Sequence, residues 1–357
     1  MHMKLDKGQK RKLISIICNK YTKNKEKSVN NSKQKNIYKF TFFVYYMKYL
    51  VNAISSTSIL AFCQLIPVYL HVTIGGLCVK IAFWSNCPEE CRVSANLAAI
   101  SVASVIRYPY SIIAMENRLS SNNLGKAFMG SSRECILHEA GANYYDGRGL
   151  EGLVRKIYRG EVSKEILQPY LKEIISDHLY YIPQSGVIHN EIFDYELNYC
   201  IHPLLEIIEE YADICLIDAS IRQILSTKAI LEEADLIVVN LCQKQSVLEN
   251  FFQNYSSIIP KALFIISNYE FNSRMNYKRI AQMYELPLDC ITVIPDNELY
   301  DIAYEKGSAV EFLSRNYSCS NDSSNYFFIQ AVKKAAYMMI KKAVYLSKKK
   351  DNTPCLR

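Results

Sequence analysis

The residues most suited to handling a phosphate run Ile81-Ala82-Phe83-Trp84-Ser85-Asn86-Cys87-Pro88-Glu89-Glu90-Cys91-Arg92-Val93-Ser94-Ala95-Asn96-Leu97-Ala98-Ala99. A buried strand, a short loop and a helix that opens on a hydroxyl residue is the layout of a phosphate-binding loop. Such a loop needs glycines, so that its backbone N–H groups can close on the anion, and a lysine to neutralise it. This loop has neither. Glu89 and Glu90 stand in it instead, and two carboxylates repel a polyphosphate. Arg92 is the remaining cation, and its simplest reading is a surface pair with Glu89 or Glu90.

Other strand ends could complete such a site. Ile214-Cys215-Leu216-Ile217-Asp218 is an apolar strand closing on an aspartate, the form that holds Mg²⁺ through water and equally the form of a helix cap. Ser94 is the candidate hydroxyl ligand for the same ion. Asn268, after Leu263-Phe264-Ile265-Ile266-Ser267, suits an adenine edge or a turn. Glu116 closes another strand, and Pro295-Asp296 follows a third. Competing chemistries find less support. His138, His178, His189 and His202 have no triad partners at a recognisable spacing, and no G-x-S-x-G elbow occurs. The 12 cysteines include no C-x-x-C pair, and Cys87 and Cys91, four apart, lack the further ligands zinc requires. Reduced thiols in a cytosolic compartment are the expectation.

The elements that must position these residues alternate from Val79 onward. Strands are expected at Lys80–Trp84, Ser111–Glu116, Leu179–Ile182, Ile214–Asp218, Leu236–Asn240, Ala262–Asn268 and Cys290–Ile294. Helices are expected at Ser94–Ile106, Gly149–Tyr158, Glu191–Tyr211, Ile221–Glu233 and Ser246–Ile258. Several strands are short apolar runs, as in parallel sheets covered on both faces. The fold class is therefore α/β: a doubly wound, mostly parallel sheet flanked by helices in three layers, with ligands expected beyond the strands' carboxyl ends. The loop Tyr144-Tyr145-Asp146-Gly147-Arg148-Gly149 enters one helix and reads as a tight turn or a partner-binding loop.

In this order the segments resemble the MinD/ParA family of deviant-Walker ATPases with a P-loop NTPase fold, including its CpaE-like branch, over about residues 79–345. Asn96-Leu97-Ala98-Ala99 matches the family's first helix, Asp218 its Walker B aspartate, Asn268 its adenine-contacting asparagine and Pro295-Asp296 its Pro-acid turn. The late segment from Ile294 through Ala303, Gly307 and Val310-Glu311-Phe312 is similar as well. The resemblance implies ATP and Mg²⁺ as cofactors, with Ser94 and Asp218 at the metal and Glu116, Asn268, Pro295 and Asp296 around the nucleotide. It also implies a pilus, secretion or partition setting. Two departures count against catalysis. The loop lysine is absent, and the family's acid-x-acid pair is Glu116-Asn117-Arg118, whose arginine cannot orient or deprotonate water. The expectation is a degenerate site on a non-catalytic scaffold, regulator or positioning partner; the alternative is a working ATPase using unconventional loop residues.

Charge places the partners. Residues 1–48 hold 13 Lys/Arg against 2 Asp/Glu, a local +11 in a chain of net +7, so the remainder is −4. That disfavours nucleic acid as a partner. Residues 1–78 read as a basic extension carrying either a membrane segment or an upstream run from a misassigned start; Leu50 to Val79 holds no Lys, Arg, Asp or Glu. Residues 79–350 form the α/β domain and 351–357 a tail. Tyr326–Lys350 is periodic, with Phe328, Val332, Ala335, Ala336, Met339, Ile340, Ala343 and Leu346 on one face and lysines on the other. It could lie on an anionic membrane. Alanines on the apolar face favour docking on the sheet instead. A protein partner or self-dimer is expected, in the cytoplasm or at the inner face of the membrane.

Overall fold

The computed structural model describes residues 78–117, 124–129, 149–184, 190–222 and 224–351, with side chains to Leu346. The basic extension with its apolar run, Arg118, the Tyr144–Arg148 loop, His138, His189, the side chains of Lys348–Lys350 and the tail from Asn352 lie outside the described residues.

In chain order the elements are β1 (Val79–Trp84), α1 (Pro88–Cys91), α2 (Val93–Arg107), β2 (Ile112–Glu116), α3 (Leu124–Met129), α4 (Leu150–Tyr158), β3 (Lys172–Ile175), β4 (Leu179–Tyr181) and α5 (Asn190–Glu209). There follow β5 (Ile214–Asp218), α6 (Ile224–Glu233), β6 (Leu236–Leu241), α7 (Gln245–Asn254), β7 (Ala262–Ile266), α8 (Tyr277–Met283), β8 (Ile291–Val293), α9 (Glu298–Glu305), α10 (Ala309–Asn316) and α11 (Tyr326–Asp351). One sheet carries all eight strands in the order β3-β4-β2-β5-β1-β6-β7-β8. Every pairing is parallel except β3 with β4. The expected doubly wound α/β sheet is present. The exposed, charged strand β3 was not expected: Lys172-Glu173-Ile174-Ile175 shows no buried apolar run, and an edge strand needs none.

The winding turns around β1, which lies between β5 and β6, with Ala82 opposite both Ile217 and Ile237. One face of the sheet presents Ala82, Trp84, Ile113, Met115, Cys215 and Ile217 to a core shared with α4, α5, α7 and α8. The other face meets α2. That helix is buried over 13 of its 15 residues, because it lies between the sheet and a further layer made by α10 and α11. Its sequence explains how it fits: Ala95, Ala98, Ala99, Ser101, Ala103 and Ser104 leave room for neighbours on both sides. Two of these hydroxyls are satisfied inside the helix, Ser101 donating to the Ala98 carbonyl at 2.9 Å and Ser104 to the Ile100 carbonyl at 2.7 Å.

The C-terminal helix docks. Phe328, Ile329, Val332, Ala335, Ala336, Met339, Ile340 and Ala343 are buried against α2 and the sheet, and Lys342 donates its Nζ to the Ala262 carbonyl at 2.8 Å. An apolar face already covered in this way is not available for insertion into a bilayer. Among the described residues no helix is long and apolar enough to cross a membrane. Met339 is 0% exposed and Tyr345 67% exposed. Met339→Ala is expected to destabilise the fold by about 2–5 kcal/mol, whereas Tyr345→Ala stays within about 0.5 kcal/mol of the parent, as read by urea denaturation. Equal effects at the two positions would contradict the docked arrangement.

Candidate functional site

The carboxyl ends of the central strands bring Ser94, Glu116 and Asp218 together. Glu116 and Asp218 end neighbouring parallel strands and are register partners, so their carboxylates share one face of the sheet. Both are fully buried. Ser94, in the first turn of α2, donates its hydroxyl to Asp218 Oδ2. Glu116 accepts the backbone N–H groups of Leu124 at 2.9 Å and Gly125 at 3.3 Å, from the start of α3, and the Tyr181 hydroxyl. Burial and then the neighbouring Asp218 charge push the Glu116 carboxyl up to about 7, against those three donors, which pull it down.

A tyrosine closes over this pair. Tyr304 of α9 is buried within hydrogen-bond reach of Ser94 and inside the field of Glu116 and Asp218, and burial followed by those two charges pushes its hydroxyl well up. Tyr300, one turn earlier, donates to the Ala95 carbonyl at 2.7 Å. The two tyrosines thus hold α9 across the start of α2. Asn297 caps α9 by accepting the Tyr300 N–H at 2.8 Å, which sets the helix direction directly after the Pro295-Asp296 turn.

The loop between β1 and the buried helix is acidic, and its glutamate side chains turn outward. Pro88 starts the single turn α1, and its two glutamates point to cations elsewhere in the fold: Glu89 to Arg222 at 2.5 Å and Glu90 to Lys244 at 2.8 Å. Arg92 is left-handed, with φ of 50°, and links α1 to α2. The expected pairing of Arg92 with Glu89 or Glu90 is corrected here. Its guanidinium binds Asp296 at 2.7 Å and Asp301 of α9, because the left-handed turn aims the side chain away from α1 and toward the Pro-Asp turn. Asp296, a candidate nucleotide contact, is therefore an ion-pair partner in this arrangement.

Asn268 is also left-handed, with φ of 48°, a conformation asparagine tolerates better than most residues. Its amide donates to the Glu90 carbonyl at 2.9 Å and so holds α1 down. Beneath it Asn96 donates to Asn240 Oδ1 at 2.9 Å and to the Ser267 hydroxyl at 2.8 Å, tying α2 to the ends of β6 and β7. Asn268 and Pro295 do come together, with Arg92, Asn96 and Tyr300, around a cavity of about 10 Å³. That volume holds about one water molecule and no adenine ring. Among the described residues, the strand ends thus carry acidic side chains in the loop, Tyr304 against Ser94 and a small cavity beside Asn268.

Sequence reasoning missed Tyr304, Tyr181 and the buried Asn117, whose amide donates to Ser226 at 3.0 Å and Thr227 at 2.8 Å. Tyr300 and Tyr304 are four apart after an Asn cap, so a shared helix face was available as a signal. Nothing in the local sequence of Tyr181 links it to Glu116, because that contact crosses from β4 to β2.

No protein-family model matches the chain, and no curated protein matches it. Solved structures do. The chain is similar to the septum site-determining protein MinD complexed with Mg-ADP from Pyrococcus horikoshii OT3, with 16% identity over 76% of this chain and 99% of that one and a TM-score of 0.53. It is similar to a ParA family ATPase from Chlorobium tepidum TLS, with 15% identity, coverage of 73% and 98%, and a TM-score of 0.52. The MinC:MinD cell division protein complex from Aquifex aeolicus gives 13% identity, coverage of 74% and 96%, and a TM-score of 0.50. Likeness at this level of identity establishes the fold alone: the described residues share the α/β fold of these MinD and ParA proteins.

The raised Glu116 value has a consequence for stability. A carboxyl that binds its proton more tightly in the fold contributes stability that is complete below its unfolded value and is lost as pH rises toward about 7. For this fully buried group the loss amounts to about 3 kcal/mol. Urea titrations at about pH 5 and about pH 8 should show that decline in the parent and a flatter profile in Glu116→Gln. An unchanged slope in the variant would contradict the assignment.

Proposed function

We propose that this chain is a MinD/ParA-like protein of the CpaE-like kind whose nucleotide site has degenerated, and that it acts without catalysis as a scaffold, regulator or positioning partner. The observation that supports this reading is the set of side chains at the strand ends. Glu89 and Glu90 stand where glycines and a lysine would cradle an anion, and both are committed to ion pairs. Tyr304 takes the space beside Ser94 and Asp218. A phosphoryl group brought there meets three carboxylate-bearing strands and loops and no free cation supplied by the loop.

The unit that performs this role is residues 79–350, with residues 1–78 as an extension and 351–357 as a tail. Its partner is another protein or a second copy; one solved structure of this fold is a MinC:MinD complex. A pilus, secretion or partition apparatus is the setting, in the cytoplasm or at the inner membrane face. Contact with anionic lipid, where it occurs, uses the extension or the lysines of α11 rather than the covered apolar face. The mildly acidic body argues against nucleic acid.

A second reading, an ATPase with unconventional loop residues, is favoured by one contact: Ser94 and Asp218 are already together, as a hydroxyl and carboxylate sharing Mg²⁺ would be. In that reading Glu116, Asn268, Pro295 and Asp296 line the nucleotide. Calorimetric titration of the full chain with ATP–Mg²⁺ separates the two. The degenerate site gives no saturable heat up to about 1 mM, which corresponds to less than about 4 kcal/mol of binding energy. Micromolar binding that disappears in Asp218→Ala would overturn it in favour of the ATPase.

A further inference from the structure

We propose that copies of this chain associate head to tail, the cationic, aromatic stripe of α11 on one copy seating on the acidic, aromatic stripe of α5 on the next. From Tyr326 through Lys350 α11 holds no Asp or Glu, and from Asn190 through Glu209 α5 holds no Lys or Arg. The two helices cover opposite faces of the sheet. Phe193 and Leu197 of α5 share a core with Met115 and Ile217, and α11 packs on the other side against α2. One chain therefore cannot bring its own two stripes together, but two chains can.

Each stripe is what remains of a helix after its inner face is buried. On α11 the exposed positions are Phe327, Gln330, Lys334, Tyr337, Lys341 and Tyr345. On α5 they include Ile192, Tyr195, Tyr199, His202 and Glu206. Both follow steps of three and four residues, the spacing of a narrow seam between packed helices. Single exposed rings are ordinary, but a row of them along one helix marks a contact surface. Phe327 is 66% exposed and Tyr199 68%, and Tyr158 of α4 widens the second stripe by meeting the Tyr199 ring edge-on at 5.4 Å. The stripes run about 27 Å along α11 and about 21 Å along α5, so one can lie along the other.

Charge is left open on both sides. Among the described residues none of Arg107, Lys334 and Lys341 joins a salt bridge. Arg107 and Lys334 lie instead over the Tyr337 and Tyr277 rings, at 5.8 Å and 5.9 Å. On α5, Arg155 takes Glu196, Lys80 takes Glu209, and Asp194 accepts the Leu225 and Ser226 N–H groups at the start of α6. Glu191 and Glu206 remain at the surface, and Glu206 meets only the His202 ring, at 3.5 Å. Rings on rings supply the apolar part of the contact, and lysines of one copy against carboxylates of the next fix its direction. Two α11 stripes, or two α5 stripes, would set like charges together. A contact between two different faces repeats, so assembly grows as an open chain or closes as a ring. The inference rests on the reading above in taking a second copy as the partner. It needs no nucleotide, so the calorimetric titration and the following test fail separately.

The test is sedimentation velocity of the full chain at about 0.05 M and about 0.5 M salt, across a wide range of protein concentration. The parent should form species larger than a monomer that grow with concentration and shrink at the higher salt. Lys334→Glu/Lys341→Glu and Glu191→Lys/Glu206→Lys should each be monomeric alone. Both should keep the parent's circular dichroism and urea midpoint, since all four side chains are exposed. Mixed in equal amounts, the two variants should assemble again, because native faces then meet native faces and reversed faces meet reversed ones. A parent that stays monomeric at low salt, a variant that assembles alone as the parent does, or a mixture that stays monomeric would each overturn the proposal. Binding of a monomeric parent to phosphatidylserine vesicles, lost in Lys334→Glu/Lys341→Glu, would give the α11 stripe to lipid instead.

Discussion

Two carboxylates fully withdrawn from water on adjacent strands set the terms for the rest of this structure. Glu116 and Asp218 are register partners at the ends of β2 and β5, so neither can turn away from the other without leaving the sheet. Burying two such charges side by side is costly, and the surrounding fold supplies what offsets it. The amides at the start of α3 and the Tyr181 hydroxyl serve Glu116, and Ser94 serves Asp218. The elevated proton affinity of Glu116 is the part of the cost that these donors do not cancel. Tyr304 then seals the pair from solvent.

The position of α2 follows from the same constraint. Ser94 must reach Asp218 from the first turn of a helix, so that helix must start at the strand ends and run back over the face of the sheet. It does so because small residues let the sheet approach from one side and α11 from the other. Asn96 adds a polar anchor to β6 and β7. The C-terminal helix is thereby a structural layer of the domain. Of its lysines with described side chains, Lys334 and Lys341 are exposed, Lys333 lies over the Tyr317 ring at 4.2 Å and Lys342 is bound to the Ala262 carbonyl.

The acidic loop becomes intelligible in this setting. Glu89 is exposed and Glu90 partly so, and each meets a cation from a different element. Arg92 turns the other way, to Asp296 and Asp301. These are four ion pairs, and those at the surface contribute little individually. Together they orient α1, α9 and the Pro295-Asp296 turn around a space that admits about one water.

Much of this was legible in the residues alone. Apolar runs ending on Asp218, Glu116 and Asn268 identified the parallel strands and placed the polar groups at their carboxyl ends, because side-chain alternation and burial on both faces leave a period that local sequence preserves. The alanine-rich face of α11 gave docking the better case for the same reason. What stayed hidden depended on contacts between distant segments. Charge composition could not choose a partner for Arg92, which required the left-handed turn and the placement of α9. The edge strand β3 has no apolar signature because solvent covers it. Tyr181 and Tyr304 each join elements far apart in the chain. Local periodicity determined the layers and the identities of the groups at their ends; only the packing of α9 and α1 across those ends decided which of those groups would face one another.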